Sequence, residues 1–219
     1  MYLDIRKQVI ETGINMINSN MTVGTWGNIS ARIPGENYMA ITPSGVDYKE
    51  IQPNDIVIMD FEGNIIDGNK KPSIEFPMHS IIYKNRNDIN AIVHTHSQYV
   101  TAFALARKPI PAAAEDMVQI VGGDVRVNEY FLPGSSELGE AVVKALEGRM
   151  AAVLANHGCL AAGRNLKEAL KTAQIVEKSA KEVIFANILG GVVELPKEDV
   201  DYMRDFYLNS YSKAFSKNK

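Results

Sequence analysis

Hydrophobic and polar positions switch between two periods along this chain, and the switches mark its elements. From residue 3 to about 18, Ile5, Val9, Ile10, Ile14, Met16 and Ile17 recur on a broad face and predict an amphipathic helix. The stretch MTVGTWGN, residues 21–28, loses that period and reads as a loop of small residues. Residues 28–33, 38–42 and 55–60 are short runs separated by Gly, Pro and Asn, which predicts strands; Glu62-Gly63-Asn64 is a turn before Ile65-Ile66. Ser73 is placed to cap a helix ending near residue 85, with Pro77 close to its first turn, where proline costs least. Residues 91–96 (AIVHTH) read as a strand and 98–106 as a helix. Further strands at 125–127 and 151–156 flank a helix over 137–146. Asn165, with Glu168 three residues later, resembles a capping box opening a helix to about residue 189. Pro196 opens a last helix, from about residue 197 to 214.

Strands and helices interleave throughout, which predicts an α/β fold. Several strands are joined by connections too short for a parallel crossover, so the sheet is expected to be mixed and covered by helices. No repeat or low-complexity linker divides the 219 residues, and one domain over 1–219 is expected.

Composition changes this picture mainly by exclusion. Hydrophobic residues make up 46% and charged residues 22%, as in a soluble globular protein. The net charge of −3 gives no basic field for nucleic acid. No run of 18 apolar residues and no signal-peptide core is visible, so no membrane span and a cytoplasmic location are expected. A single cysteine, Cys159, excludes an intrachain disulfide and a cysteine-based zinc finger, and it reads as a small buried residue.

The four histidines carry more. His94 and His96 form H-x-H on a predicted strand, where positions i and i+2 share a face and both imidazoles can reach one ion. His157 ends a second apolar strand in VLANHG, where Gly158 is read as allowing a sharp turn. Three histidines leave positions of a zinc-like ion open, as a catalytic site requires. The competing reading, isolated histidines with local hydrogen bonds, stays open at this point. Glu75 and His79 lie four apart on a predicted helix and share a face. Glu75 is a candidate fourth ligand or proton-transfer group, and His79 is read as structural or as support for the site.

Three segments rich in glycine, hydroxyl or amide groups sit beside predicted element ends: residues 24–28 (GTWGN), 42–45 (TPSG) and 72–73 (PS). Exposed backbone N–H groups and hydroxyls of this kind suit a phosphate. None matches a P-loop or a dinucleotide fingerprint.

Taken in order, G-T-W-G-N-I-S, T-P-S-G, P-S-I-E…H, H-T-H and N-H-G resemble the class II aldolase/adducin family over nearly the whole chain, and within it the short fuculose-phosphate-type aldolases. The resemblance implies a three-layer α/β/α fold around a mixed, largely antiparallel sheet. It implies a homotetramer with active sites between subunits. By position, His94, His96 and His157 match the zinc ligands, with manganese or cobalt as alternatives. Glu75 matches the acidic residue that ligates the resting metal and moves protons. Gly27, Asn28, Ser44, Gly45 and Ser73 match the pocket for the substrate phosphate. The implied activity is cleavage of a ketose 1-phosphate, of the L-fuculose 1-phosphate type, to dihydroxyacetone phosphate and an aldehyde.

Two departures from the pattern stand out. The pocket commonly has two serines before the glutamate, and here it reads Ser73-Ile74. The aldolases also place a catalytic tyrosine near Asp116, reaching the neighbouring subunit's site; an acidic residue there resembles the dehydratase branch. Asp116 is therefore an acid/base candidate, beside Tyr211 or Tyr207 for the family's C-terminal tyrosine. The alternatives on the same metal site are L-ribulose-5-phosphate 4-epimerase, ketose-1-phosphate dehydratase and phospho-keto-acid decarboxylase. A non-catalytic module like the adducin head would be expected to have lost metal ligands that are intact here.

Overall fold

Most strands of the central sheet are apolar on both faces, and both faces are covered by helices. A computed structural model describes residues 1–211. Among these, eight strands form one sheet in the order β4 (Ile65–Asp67), β3 (Val57–Asp60), β2 (Tyr38–Ile41), β1 (Asn28–Arg32), β5 (Ala91–Thr95), β8 (Gly158–Gly163), β7 (Ala151–Leu154), β6 (Arg126–Val127). All neighbours are antiparallel except β6 and β7, which are joined by the crossover helix α5 (Ser136–Ala145). The α/β fold and the largely antiparallel sheet expected from the sequence are thus what forms.

Strand alternation sorts the core into two layers. Ile92, Leu160, Ala152 and Leu154 face α2 (Phe76–Asn85) and α5, packing on Met78, Ile82, Leu138 and Val142. Val93 and Ala161 face the other way, onto Val9 and Met16 of α1 (Leu3–Asn18) and Ala169 and Ala173 of α6 (Leu166–Ile188). Val153 and Cys159 meet α3 (Gln98–Ala106), α4 (Glu115–Val121) and the C-terminal half of α6. The helix α7 (Lys197–Phe206) follows and runs into a π turn, Tyr207–Tyr211. Among the described residues no helix is long and apolar enough to cross a membrane.

Several local expectations are corrected. Ser73 does not cap α2: the N-cap position is Glu75, and Ser73 Oγ instead accepts from the Glu75 N–H at 3.3 Å. The strand expected over 55–60 begins only at Val57, because Pro53–Asp55 wind into a 3-10 turn. Asn165 does cap α6, its side chain accepting from the Glu168 N–H at 2.9 Å, but the Glu168 carboxylate reaches back to Arg164 N (2.8 Å), not to Asn165. Helix α4 and strand β8 were not foreseen. The end of the last predicted helix, residues 212–214, lies outside the described residues.

Candidate active site

The site forms where three element ends meet on the α2 side of the sheet. His94 lies on β5, paired with Asn28 of β1 on one side and Leu160 of β8 on the other. His96 lies one residue past the end of β5, and His157 lies in the turn between β7 and β8, not at a strand end. In that turn Asn156 takes the left-handed conformation (φ 57°), and Gly158 does not. A Cβ at Gly158 would stand 2.2 Å from the Thr95 carbonyl oxygen, so glycine is required by close approach of β8 to the end of β5. Gly27 has φ +77° and passes the His94 carbonyl so closely that a Cβ would lie 2.6 Å from that oxygen.

The three imidazoles converge. One ring nitrogen from each of His94, His96 and His157 lies within 4.8 Å of the others. His94 Nε2 is 3.1 Å from His96 Nε2 and 3.2 Å from Glu75 Oε2, and His157 Nε2 is 3.6 Å from Glu75 Oε1. The other His94 nitrogen, Nδ1, donates to the Cys159 carbonyl at 2.9 Å. A carbonyl only accepts, so Nδ1 carries a proton and the lone pair of neutral His94 is on Nε2, aimed at the cluster. Glu75 is 5% exposed, and its Oε1 is buried without a hydrogen-bond partner. Three converging imidazole nitrogens, with a buried carboxylate whose orphaned oxygen lies beside one of them, are a donor set that fits a divalent cation.

Charge follows the same geometry. Burial pushes the Glu75 carboxyl up, but His94, His157 and the Asn28 hydrogen bond outweigh it, and its pKa lies well below the ordinary carboxylate range. Burial lowers His94, yet the adjoining Glu75 carboxylate more than offsets this and the net shift is upward. Burial and the neighbouring imidazoles lower His96 to about 3 and His157 to about 4, and burial lowers His79 to about 3.

These shifts set the pH dependence of the metal-free protein. Between about pH 6.5 and 4 the unfolded chain protonates His79, His96 and His157 while the folded chain does not, so stability falls as pH falls. His94 has the opposite sign: its contribution is present below the ordinary imidazole pKa and is lost as pH rises through its folded value. Glu75 stabilises above the ordinary carboxylate pKa and loses that effect only in stronger acid. Three histidines against one predict a lower urea midpoint for the chelated protein at about pH 5 than at about pH 7. An equal or higher midpoint at the lower pH would contradict the assignment.

Gly27, Asn28, Ser44, Gly45 and Ser73 all line one cavity of about 200 Å³, together with Glu75 and His157. Two of the loops are held together by an antiparallel backbone bridge between distant stretches of the chain: Ser44 N donates to Lys71 O and Ser73 N to Thr42 O, both at 3.0 Å. Thr25, Trp26, Ile74 and Pro133 also line it. Pro133 carried no local signal, because it arrives from the loop before α5. A second, more open depression adjoins the histidines and is lined by Val23, Trp26, His96, Asn156 and His157. The Trp26 ring stands 5.5 Å from that of His96.

The acid/base candidates are elsewhere within this chain. Asp116 sits in the first turn of α4 with its carboxylate on Lys178 Nζ at 2.7 Å, and it lines neither depression. Tyr207 is buried, its hydroxyl donating to Glu168 Oε1 at 3.1 Å. Tyr211 ends the π turn, and its side chain lies outside the described residues.

Residues 7–184 match the model of the class II aldolase and adducin N-terminal domain. A 5-deoxy-D-ribulose 1-phosphate aldolase of Bacillus thuringiensis serovar kurstaki is 37% identical over 196 residues, which are 90% of this chain and 92% of the relative. A 5-methylthioribulose-1-phosphate/5-deoxyribulose-1-phosphate aldolase of Rhodospirillum rubrum is 40% identical over 180 residues, 82% of this chain and 77% of the relative. Among solved structures, an L-fuculose 1-phosphate aldolase superposes with a TM-score of 0.92 at 41% identity, covering 95% of this chain and 98% of that one.

Proposed function

This chain belongs to the class II aldolase and adducin family, and from that premise we propose that it is a metal-dependent, cytoplasmic sugar-phosphate aldolase that cleaves a ketose 1-phosphate to dihydroxyacetone phosphate and an aldehyde. The observation that carries the proposal is the convergence of three imidazoles on one point with the buried Glu75 carboxylate against two of them, beside a cavity built from glycine and serine loops.

His94, His96 and His157 would hold the ion, with Glu75 completing the set in the resting protein. When bound, a divalent cation supplies a Lewis acid for the negative charge that develops on the former carbonyl oxygen. Zinc suits the imidazole-rich set, and manganese or cobalt fits the same donors. The loops of Gly27, Asn28, Ser44, Gly45 and Ser73 would receive the phosphate through backbone N–H groups and hydroxyls, since among the described residues no lysine or arginine lines the cavity. Ile74 contributes an apolar side chain there in place of a second serine hydroxyl. Glu75, charged and open at Oε1, moves a proton to or from the three-carbon fragment.

Asp116 and Tyr211 are proposed to serve the hydroxyl proton of the cleaved bond from a neighbouring subunit of a homotetramer. Exposed Val23, Trp26, Ile74 and Leu132 lie at or next to the site's lining, and such apolar surface is commonly covered by a partner copy. Asp116 also supports a second reading, dehydration of the ketose 1-phosphate on the same residues.

The substrate proposed is a ketose 1-phosphate with a deoxy, methyl-bearing end. L-fuculose 1-phosphate and 5-deoxyribulose 1-phosphate share that end, and Val23 and Trp26 offer an apolar wall beside the histidines. The test is incubation of the metal-loaded protein with dihydroxyacetone phosphate and acetaldehyde or lactaldehyde. Condensation to a ketose 1-phosphate is expected. Its absence, with water elimination from a supplied ketose 1-phosphate instead, would overturn the aldolase in favour of the dehydratase.

A further inference from the structure

Behind Glu75 a chain of buried hydrogen bonds runs into the core. Tyr83 Oη lies 2.8 Å from Ser30 Oγ, which lies 2.7 Å from His79 Nδ1. His79 Nε2 is 2.6 Å from Asn28 Oδ1, and Asn28 Nδ2 is 2.8 Å from Glu75 Oε2. Tyr83, Ser30 and His79 are wholly buried, and Asn28 is 3% exposed. The interleaving follows from two periods. Glu75, His79 and Tyr83 recur every four residues along one face of α2 and its cap, while Asn28 and Ser30 alternate onto one face of β1.

One end dictates the polarity of every link. The Glu75 carboxylate only accepts, so Asn28 must present its amide N–H. The Asn28 carbonyl then faces His79, which must donate from Nε2. Nδ1 is left as an acceptor, so Ser30 donates to it and Tyr83 donates to Ser30. His79 is neutral, as burial dictates. The opposite polarity would set the Asn28 carbonyl against the carboxylate. Oε2 is thus held by the Asn28 amide, while Oε1, the oxygen nearest His157, makes no hydrogen bond.

We propose that His79 is a positioning residue, held as the Nε2–H tautomer, which orients the Asn28 amide and through it fixes the Glu75 carboxylate with Oε1 open to the histidine cluster. This rests on the metal-site reading above and adds to it the group that aims the carboxylate. His94, with its proton on Nδ1, is the opposite tautomer in the same protein.

Two substitutions separate aiming from filling space. In His79→Gln the amide nitrogen reaches the position of Nε2 and still donates to Asn28. In His79→Asn the amide reaches only the position of Nδ1 and leaves the Asn28 carbonyl without a donor. His79→Asn is expected to lower zinc affinity, read by competition with a chelating dye, and kcat by about 10- to 100-fold each, with KM little changed. His79→Gln is expected to recover most of both. Equal losses in the two folded variants, or none in either, would overturn the proposal. Should both variants fail to fold, long-range proton–nitrogen correlation of the metal-free wild type with labelled histidine decides: His79 as Nε2–H supports the proposal and Nδ1–H overturns it. Zinc affinity and tautomer are read without substrate, so an inactive wild type overturns the aldolase reading alone while these two results still judge His79.

Discussion

Replacing His94 by alanine is expected to abolish stoichiometric zinc binding and to lower ketose 1-phosphate cleavage by about a thousandfold or more. A divalent ion contributes several kcal/mol to a transition state that develops oxyanion charge, and each ~1.4 kcal/mol is a factor of ten. His94 is the most tightly placed of the three imidazoles. It is fully buried, its strand is paired on both sides, and its Nδ1 is anchored on the Cys159 carbonyl. It is also the imidazole that approaches both His96 and Glu75 closely. Its loss would therefore remove the best-anchored nitrogen of the proposed donor set. Metal analysis after gel filtration, with steady-state rates and circular dichroism on the same sample, checks the result. A folded variant that keeps one zinc per chain and a rate within tenfold of wild type would show that His94 does not hold the ion.

Gly158→Ala is expected to cost about 3 kcal/mol or more of stability and to weaken zinc binding together with it. The added methyl would meet the Thr95 carbonyl oxygen at 2.2 Å and the His96 Cα at 3.4 Å. Both are backbone atoms at the end of a strand paired on both sides, so no side chain can swing away, and overpacking of a rigid site costs about 1–3 kcal/mol or more. The strands that must part, β5 and β8, carry His96 just beyond one end and His157 just before the other. Gly35→Ala is the control. Gly35 has φ +78° but nothing within 4 Å of an added Cβ, so it should lose only about 1–2 kcal/mol of backbone strain. Urea midpoints of the two variants give the comparison; equal losses would mean that close approach at residue 158 is not what requires glycine.

The positions that come together at the candidate site were legible in the sequence because strand period and glycine punctuation act locally. H-x-H on an apolar run puts two imidazoles on one face, and the Asn165 side chain caps α6 as its spacing predicts. What stayed hidden depends on partners far along the chain. Strand β8 reads GCLAAG, small residues without β-branching, and its place is fixed by pairing with β5 and β7. Helix α4 spans only seven residues, and its packing on α6 and α7, with Arg204 donating to the Gln119 and Ile120 carbonyls, supplies what local propensity lacks. Gly158 was legible as a required glycine, but its reason, the Thr95 carbonyl, is non-local. Asn28 looked like one member of an anion loop; that its amide also bridges Glu75 and His79 follows only from the apposition of β1 and α2.

One divalent ion on His94, His96 and His157 is proposed to make this chain an aldolase. Titration of the chelated protein with zinc, reading bound metal and release of dihydroxyacetone phosphate from 5-deoxyribulose 1-phosphate in the same samples, tests it most directly. Release should rise in proportion to bound zinc and level off at one ion per chain. Full release from the chelated protein, or tight zinc binding with no release from this substrate or from L-fuculose 1-phosphate, would contradict it.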